Sequence, residues 1–493
     1  MSASGATGDE VLVAKTDLQA GALRLPEVLM QSVTLVAPAI ATLFSFQFII
    51  GFAGVSAPLA FLIVMVIALM LAVNLAMLAR AFPSAGGYFT YLSRALHPRV
   101  GLFAGWLYFL ISPLVPAPIL VYMGTVLETE LKSKYDFTFP WWLFAGLALA
   151  IVMFVTYRGI KLSGKTLIIL GGAEIAIVVA LSLWSAFDPG PGGFNFAPLN
   201  PGKIGDVGAN GLYLAVVFGI FSITGWEGAC PIAEESENPR STVPKALIIS
   251  VLLTGSILVI CTWFLLLGWG TKNVAAIGSA SNLPPLILAD KYWGSAYWIV
   301  LLALVNSTIA VCIASNLVGT RMWYSMARAG ALPKWFTKLH PTFRTPWNAT
   351  HAQFFVTIAS AVILTWWWGK GNIWFVDGSM ITFALGGVYM LGSLAVLVYY
   401  GWRKREEFNP ILHGLFPIVS LVAMGILWYK SLRPWPPAPF HYGPISAFVW
   451  MGAGVVLVAV LAFLGKEDWL AAAGRAADER PETPEELAHR PAF

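Results

Sequence analysis

Two carboxylic acids, Glu174 and Glu227, stand inside long apolar runs of this 493-residue chain. An ionisable group in such surroundings is expensive, so it marks a functional position by default. Glu174 lies in LGGAEIA (170–176), whose small residues let another backbone come close. Removal from water disfavours the charged form of a carboxyl, which suits Glu174 to binding and releasing a proton in the physiological range. The alternative is a permanently neutral carboxyl hydrogen-bonded to a neighbouring helix. For Glu227 the simplest role is to cap amides freed where a helix opens. Such amides are expected close by, because FSITGWEGACP (221–231) puts Gly225, Gly228 and Pro231 in mid-run. An earlier run, QSVTLVAPAIAT (31–42), carries Pro38. Proline lacks an amide donor and clashes with the carbonyl four residues back, so that helix bends or opens. Open backbone in a membrane is tolerable only where it meets a cavity or a ligand. Freed amides suit a carboxylate and freed carbonyls suit an ammonium or cation, so one pair of broken helices can hold a zwitterion without a charged side chain.

The elements that must position these groups follow from composition. Apolar residues make up 58% of the chain and charged residues 11%, against about 25% charged in an ordinary soluble protein. About a dozen spans of roughly 20 residues absorb the excess, so an all-α polytopic membrane protein with twelve transmembrane helices is expected. Pro38 and Gly225 fall in the first and sixth spans. Those spans are the leading members of two five-helix halves, and paired interruptions of this kind point to the binding site of an inverted-repeat transporter. The expected divisions are an N-terminal tail (1–27), a first repeat (28–187), an outer loop (188–210), a second repeat (211–400), two extra helices (401–464) and a C-terminal tail (465–493).

Twelve spans place both termini on one side. With the termini inside, the inner connections hold sixteen Lys and Arg against eight outside, which predicts cytoplasmic termini and a cell inner (plasma) membrane location. All 30 basic residues are assigned to loops or tails, leaving Glu174 and Glu227 as the acids within spans. The net charge of +5 is scattered and forms no stripe, so no nucleic-acid partner is expected. GIKLSGKT (159–166) matches a phosphate-binding loop by letter. It joins two spans and has no preceding strand, so no nucleotide partner is expected. Cys230, Cys261 and Cys312 lack metal-ligand spacing, and no His or Cys is paired with a nucleophile, so no cofactor, metal or enzymatic activity is expected.

Several ordered motifs carry a resemblance. FPSAGGYFTY (82–91) is similar to the P-x-x-G-G-x-Y-x-Y signature of the amino acid, polyamine and organocation permeases. GLFAGW (101–106), YRGIK (157–161), GWE (225–227) with EESENPR (234–240) and Pro244, and Thr320-Arg321 with ARAGALP (327–333) match in order and spacing between about Gln31 and Trp402. The resemblance implies a five-plus-five inverted repeat with broken helices 1 and 6, two further helices and alternating access. It implies that substrate meets backbone around Ala39, Ile40, Ala41 and Thr42 and around Phe221, Ser222, Ile223 and Thr224, with Phe221 as an aromatic gate and with Pro38, Gly225 and Glu227 shaping the breaks. Two departures stand out. The usual Gly-x-Gly of span one is Ala39-Ile40-Ala41, as in a subgroup of bacterial members, and the span-five lysine tied to ion coupling in many relatives is replaced by Glu174.

The function expected is secondary active transport of an amino acid or related amine, as proton-coupled symport with Glu174 as the proton carrier. Exchange is an alternative, as is sodium coupling through Ser315 and Asn316. From a different class comes a membrane-embedded sensor or enzyme without transport. Pro113, Pro116 and Pro118 in span three either shape the pocket or kink the helix.

Overall fold

The computed structural model describes residues 18–203, 208–280, 283–433 and 435–464. Expectations for 1–17, 204–207 and 465–493 lie outside the described residues. The helices, in chain order, are α1 (Leu25–Val36), α2 (Pro38–Ala53), α3 (Ala57–Ala81), α4 (Tyr88–Ala95), α5 (Pro98–Leu114), α6 (Pro116–Tyr135), α7 (Trp141–Tyr157), α8 (Ile160–Phe187), α9 (Gly208–Ile223), α10 (Pro239–Trp269), α11 (Pro284–Trp293), α12 (Trp298–Arg328), α13 (Trp347–Trp368), α14 (Ile373–Val398), α15 (Phe416–Ser431) and α16 (Tyr442–Phe463). Prolines recur in the first turn, as at Pro38, Pro98, Pro116 and Pro239. There the missing amide would have had no helical partner and the fixed φ suits helix entry.

Among the described residues there is no strand beyond one isolated backbone pairing, Leu23 with Ser236. Ten helical stretches are long and apolar enough to cross a membrane. Their outward faces carry large exposed apolar side chains, among them Ile169, Phe355, Trp366, Val456 and Phe463. A water-soluble protein does not present such a belt, whereas a bilayer requires one. The molecule is a multi-pass integral membrane protein.

Burial is uneven in a way that locates the centre. α12 is buried along most of its length, and α1 and α2 are covered by α9, α10 and α12. α13 and α16 keep one side outward. Gly159, which opens the phosphate-loop look-alike, takes φ +109° between α7 and α8. A helix precedes it, and Lys165 lies within α8.

Candidate functional site

The first interruption is one residue wide. α1 ends at Val36, Ala37 takes φ 55° and ψ 69°, and Pro38 opens α2. The left-handed region costs a residue with a Cβ roughly 1–2 kcal/mol, so this conformation is imposed by its surroundings. The Ala37 amide donates to the carbonyls of Val33 and Thr34, both at 3.2 Å, and its carbonyl accepts from Ala41 at 2.8 Å. Pro38 starts the second half-helix, and the turn itself falls at the residue before it. The first amides of α2, those of Ala39 and Ile40, have no carbonyl within the helix to bond.

The second interruption lies against the first. α9 ends at Ile223, Gly225 takes φ 118°, and the chain continues as a tight 3₁₀ segment, Trp226–Glu235. A Cβ on Gly225 would sit 2.8 Å from the carbonyl carbon and oxygen of Leu35 and 3.0 Å from the amide nitrogen of Val36. The two breaks therefore touch backbone to backbone, which only glycine permits here. Two further links hold them together. Ser32 accepts from the Ala229 amide at 2.9 Å, and the Ser45 and Ser222 hydroxyls are 2.6 Å apart.

A cavity of about 80 Å³ opens at this junction. Of the residues expected to meet substrate, Ile40, Ala41, Phe221, Ser222 and Thr224 line it. Ala39, Thr42 and Ile223 are buried and do not. Further wall comes from Leu35 to Ala37 at the first break, from Val115, Pro118 and Ile119 at the α5–α6 kink, from Val311 of α12 and from Trp374, Gly378 and Ile381 of α14. Phe221 packs on Trp374, ring centroids 5.7 Å apart, and Trp374 lies 5.6 Å from Phe44 and 5.8 Å from Tyr122. Phe221 and Trp374 line the cavity, and Phe44 and Tyr122 back Trp374 from outside the lining. The Ser45, Ser222 and Thr224 hydroxyls are its polar side chains.

The two expected acids differ. Glu227 is held by the Tyr108 hydroxyl at 3.1 Å, the Tyr389 hydroxyl at 2.9 Å and the Gly225 amide at 3.1 Å. It caps the opened helix. Glu174 is wholly buried on α8 near Ser307 of α12, and neither of its oxygens has a hydrogen-bond partner. It lies outside the cavity lining. Gly171, one turn earlier, lets Met30 and Thr34 of α1 approach to 2.2 and 2.7 Å of where a Cβ would stand. Glu174 thus sits at the seam between α8, α1 and α12.

Ser315 donates to the Ser112 carbonyl at 2.7 Å. Pro116 leaves that carbonyl without its helical partner. Asn316 lines a separate small void beside Pro116 and Gln353. Neither residue lines the cavity between the breaks.

The family model for amino acid permeases matches residues 27–432. The chain belongs to the amino acid permease family. This permease is 27% identical over 457 residues to the low-affinity putrescine importer PlaP of Escherichia coli (strain K12), covering 89% of this chain and 92% of that protein. It is 30% identical over 274 residues to the uncharacterized amino acid permease YecA of Bacillus subtilis, 55% of this chain and 61% of that one. It is 26% identical over 279 residues to the lysine-specific permease LysP of Lactococcus lactis, 54% of each. These are transporters, and the permease is one of them rather than an enzyme.

Two features of the permease correct the charge inventory. Asp377 is a further acid within a span, beyond the expected Glu174 and Glu227. It lies within α14, is wholly buried, and neither oxygen has a hydrogen-bond partner. Arg321 had been placed in an inner loop. It lies within α12, 1% exposed, paired with Glu235 at 2.9 Å. In both cases the charge was read as the end of a span, whereas the helix runs through it. Trp374 and Phe375 ahead of Asp377, with Asn372 as the N-cap, were the available signal for α14. Tyr108 and Tyr389, the partners of Glu227, carried no sequence signal because aromatics are abundant in every span.

Proposed function

We propose that the permease is a secondary active transporter that moves an amino acid or related amine by alternating access, driven by protons. One observation carries this reading. Two helices are interrupted at mid-length, their breaks touch at Gly225 and Leu35, and both face one cavity. The α2 amides at one break offer partial positive charge to a carboxylate. Carbonyls at the opened turns offer partial negative charge to an ammonium. Relatives named for putrescine and lysine transport support an amine as cargo.

Twelve crossings are part of the proposal. The stretch Leu25–Ala81 spans 57 residues, far more than the roughly 20 that cross a bilayer, and it turns at Gly54–Ser56, so it crosses twice. Trp141–Tyr157 is a shorter apolar helix of 17 residues and supplies one more. The first five crossings and the next five form the inverted repeat, α15 and α16 are the extra pair, and both termini face the cytoplasm at the plasma membrane. Glu174 is assigned as proton carrier because its carboxyl is buried without a hydrogen-bond partner beside the first broken helix.

The test is uptake by purified protein in liposomes, using labelled putrescine, lysine and alanine under an inward proton gradient without sodium. Accumulation above equilibrium that collapses with a protonophore is the expected result. Uptake that requires substrate preloaded inside would replace symport with exchange, and uptake that requires sodium would replace the proton.

A further inference from the structure

The site as described has no acid for a positively charged substrate group. No charged side chain lines the cavity among the described residues. Backbone carbonyls can hold one ammonium, but a diamine or a basic amino acid brings a second. Asp377 is the buried acid that the mechanism above leaves unused. It is 0% exposed, and both oxygens lack a hydrogen-bond partner.

Its position follows from the register of α14. Trp374, Gly378 and Ile381 all line the cavity. At about 100° per residue, Asp377 is turned about 40° from Ile381, about 60° from Trp374 and about 100° from Gly378, which puts it at the edge of that face, next to the lining and not part of it. Gly378 beside it has no side chain, and a Cβ there would lie 2.6 Å from Cζ of Phe221. The cation closest to Asp377 along the chain has another partner. Lys370, at the start of the same region, pairs with Glu128 at 2.6 Å. A carboxyl in this state either keeps a proton or waits for a cation. The Phe44, Tyr122, Phe221 and Trp374 rings beside the cavity are faces that attract ammonium groups and repel carboxylates.

We propose that Asp377 receives an ammonium group of the substrate, making this a site for cationic amines, that is, diamines or amino acids with a basic side chain. The inference rests on the reading of the cavity as an amine-binding site. In that arrangement the aromatic end of the cavity surrounds the distal ammonium. The broken helices hold the proximal amine, and the carboxylate where there is one.

Equilibrium binding to purified full-length protein in detergent tests this, with labelled putrescine, lysine and alanine as probes and with Asp377→Asn and Asp377→Glu as variants. Wild type should bind putrescine or lysine more tightly than alanine. Asp377→Asn should weaken the cationic probe by at least about tenfold, as on removing one partner of a buried charge pair, and leave alanine within about twofold. Asp377→Glu should retain the preference, which separates loss of charge from loss of folding. Wild type that prefers alanine, or Asp377→Asn that keeps full affinity for the cationic probe, overturns the inference and leaves amine transport standing. Wild type that binds none of the three probes overturns the reading of the cavity as an amine-binding site, and this inference with it.

Discussion

The Arg321 guanidinium donates to both oxygens of Glu235, Nε to Oε2 at 2.9 Å and Nη2 to Oε1 at 3.3 Å, with each side chain 1% exposed. The pair ties α12 to the end of the 3₁₀ segment that follows the second break. The chain ahead of α1 is fastened alongside, where Leu23 donates to Glu235 at 3.0 Å and accepts from Glu237 at 2.7 Å. Arg328 and Glu234 make a second, more exposed pair at the same end. These contacts bind α12, the 3₁₀ segment and the chain ahead of α1 to one another.

Removing one partner of a buried ion pair leaves an uncompensated charge and costs roughly 3–5 kcal/mol. Glu235→Gln is expected to lower stability by that order, read by chemical unfolding in detergent. A cysteine placed at Leu23 should also react faster with a thiol reagent in this variant, against the low background of the three buried native cysteines. Unchanged labelling would show that the pair does not hold these elements together.

Gly225→Ala should be far more damaging than its size suggests. The new methyl meets the Leu35 backbone at 2.8 Å and the residue sits at φ +118°, so about 1–3 kcal/mol of overpacking is expected. Substrate affinity should fall because the two breaks are pushed apart. Gly172→Ala on α8, with open space around its Cβ position, is the control and should stay within about 0.5 kcal/mol.

Tyr108→Phe and Tyr389→Phe each remove one hydroxyl from Glu227. A hydrogen bond to a charged group is worth roughly 1.5–3 kcal/mol. The double variant should depart from additivity because both hydroxyls serve one carboxyl. Thermal unfolding of the four-member cycle measures the coupling, and strict additivity would mean that the two hydroxyls act on Glu227 independently of each other.

Glu174→Gln should abolish accumulation driven by a proton gradient while leaving binding and substrate counterflow intact. A glutamine keeps the shape and cannot carry the proton. Gradient-driven uptake at the wild-type rate would remove Glu174 from the coupling role.

The breaks were legible because proline and glycine act locally. Pro38 and Gly225 disturb any helix they enter, whatever packs around it, and the structure opens the chain at or beside both. The charged residues were legible only in part. A hydropathy window treats a charge as the edge of a span, which is right for a solvated lysine such as Lys404 and wrong for Arg321 and Asp377. For those two, burial is decided by Glu235, 86 positions away, and by the helices packed around α14. Contacts so distant in sequence leave no local trace. The same holds for Tyr108 and Tyr389, which converge on Glu227 from 119 and 162 positions away.

The proline-rich bend between α5 and α6 is anchored. Ser112 accepts from Ser315 at 2.7 Å and from Gln353 at 3.3 Å, and Pro113 accepts from Thr357 at 2.8 Å. The carbonyls at the kink are thereby bonded to α12 and α13, so straightening the bend would strip two buried acceptors of their donors. Val115, Pro118 and Ile119 ride on that bend. In the proposed alternating-access cycle, a substrate side chain pressing on them would meet a fixed gauge while the ends of the cavity open and close, and the permease would measure its cargo against the same ruler on entry and on release.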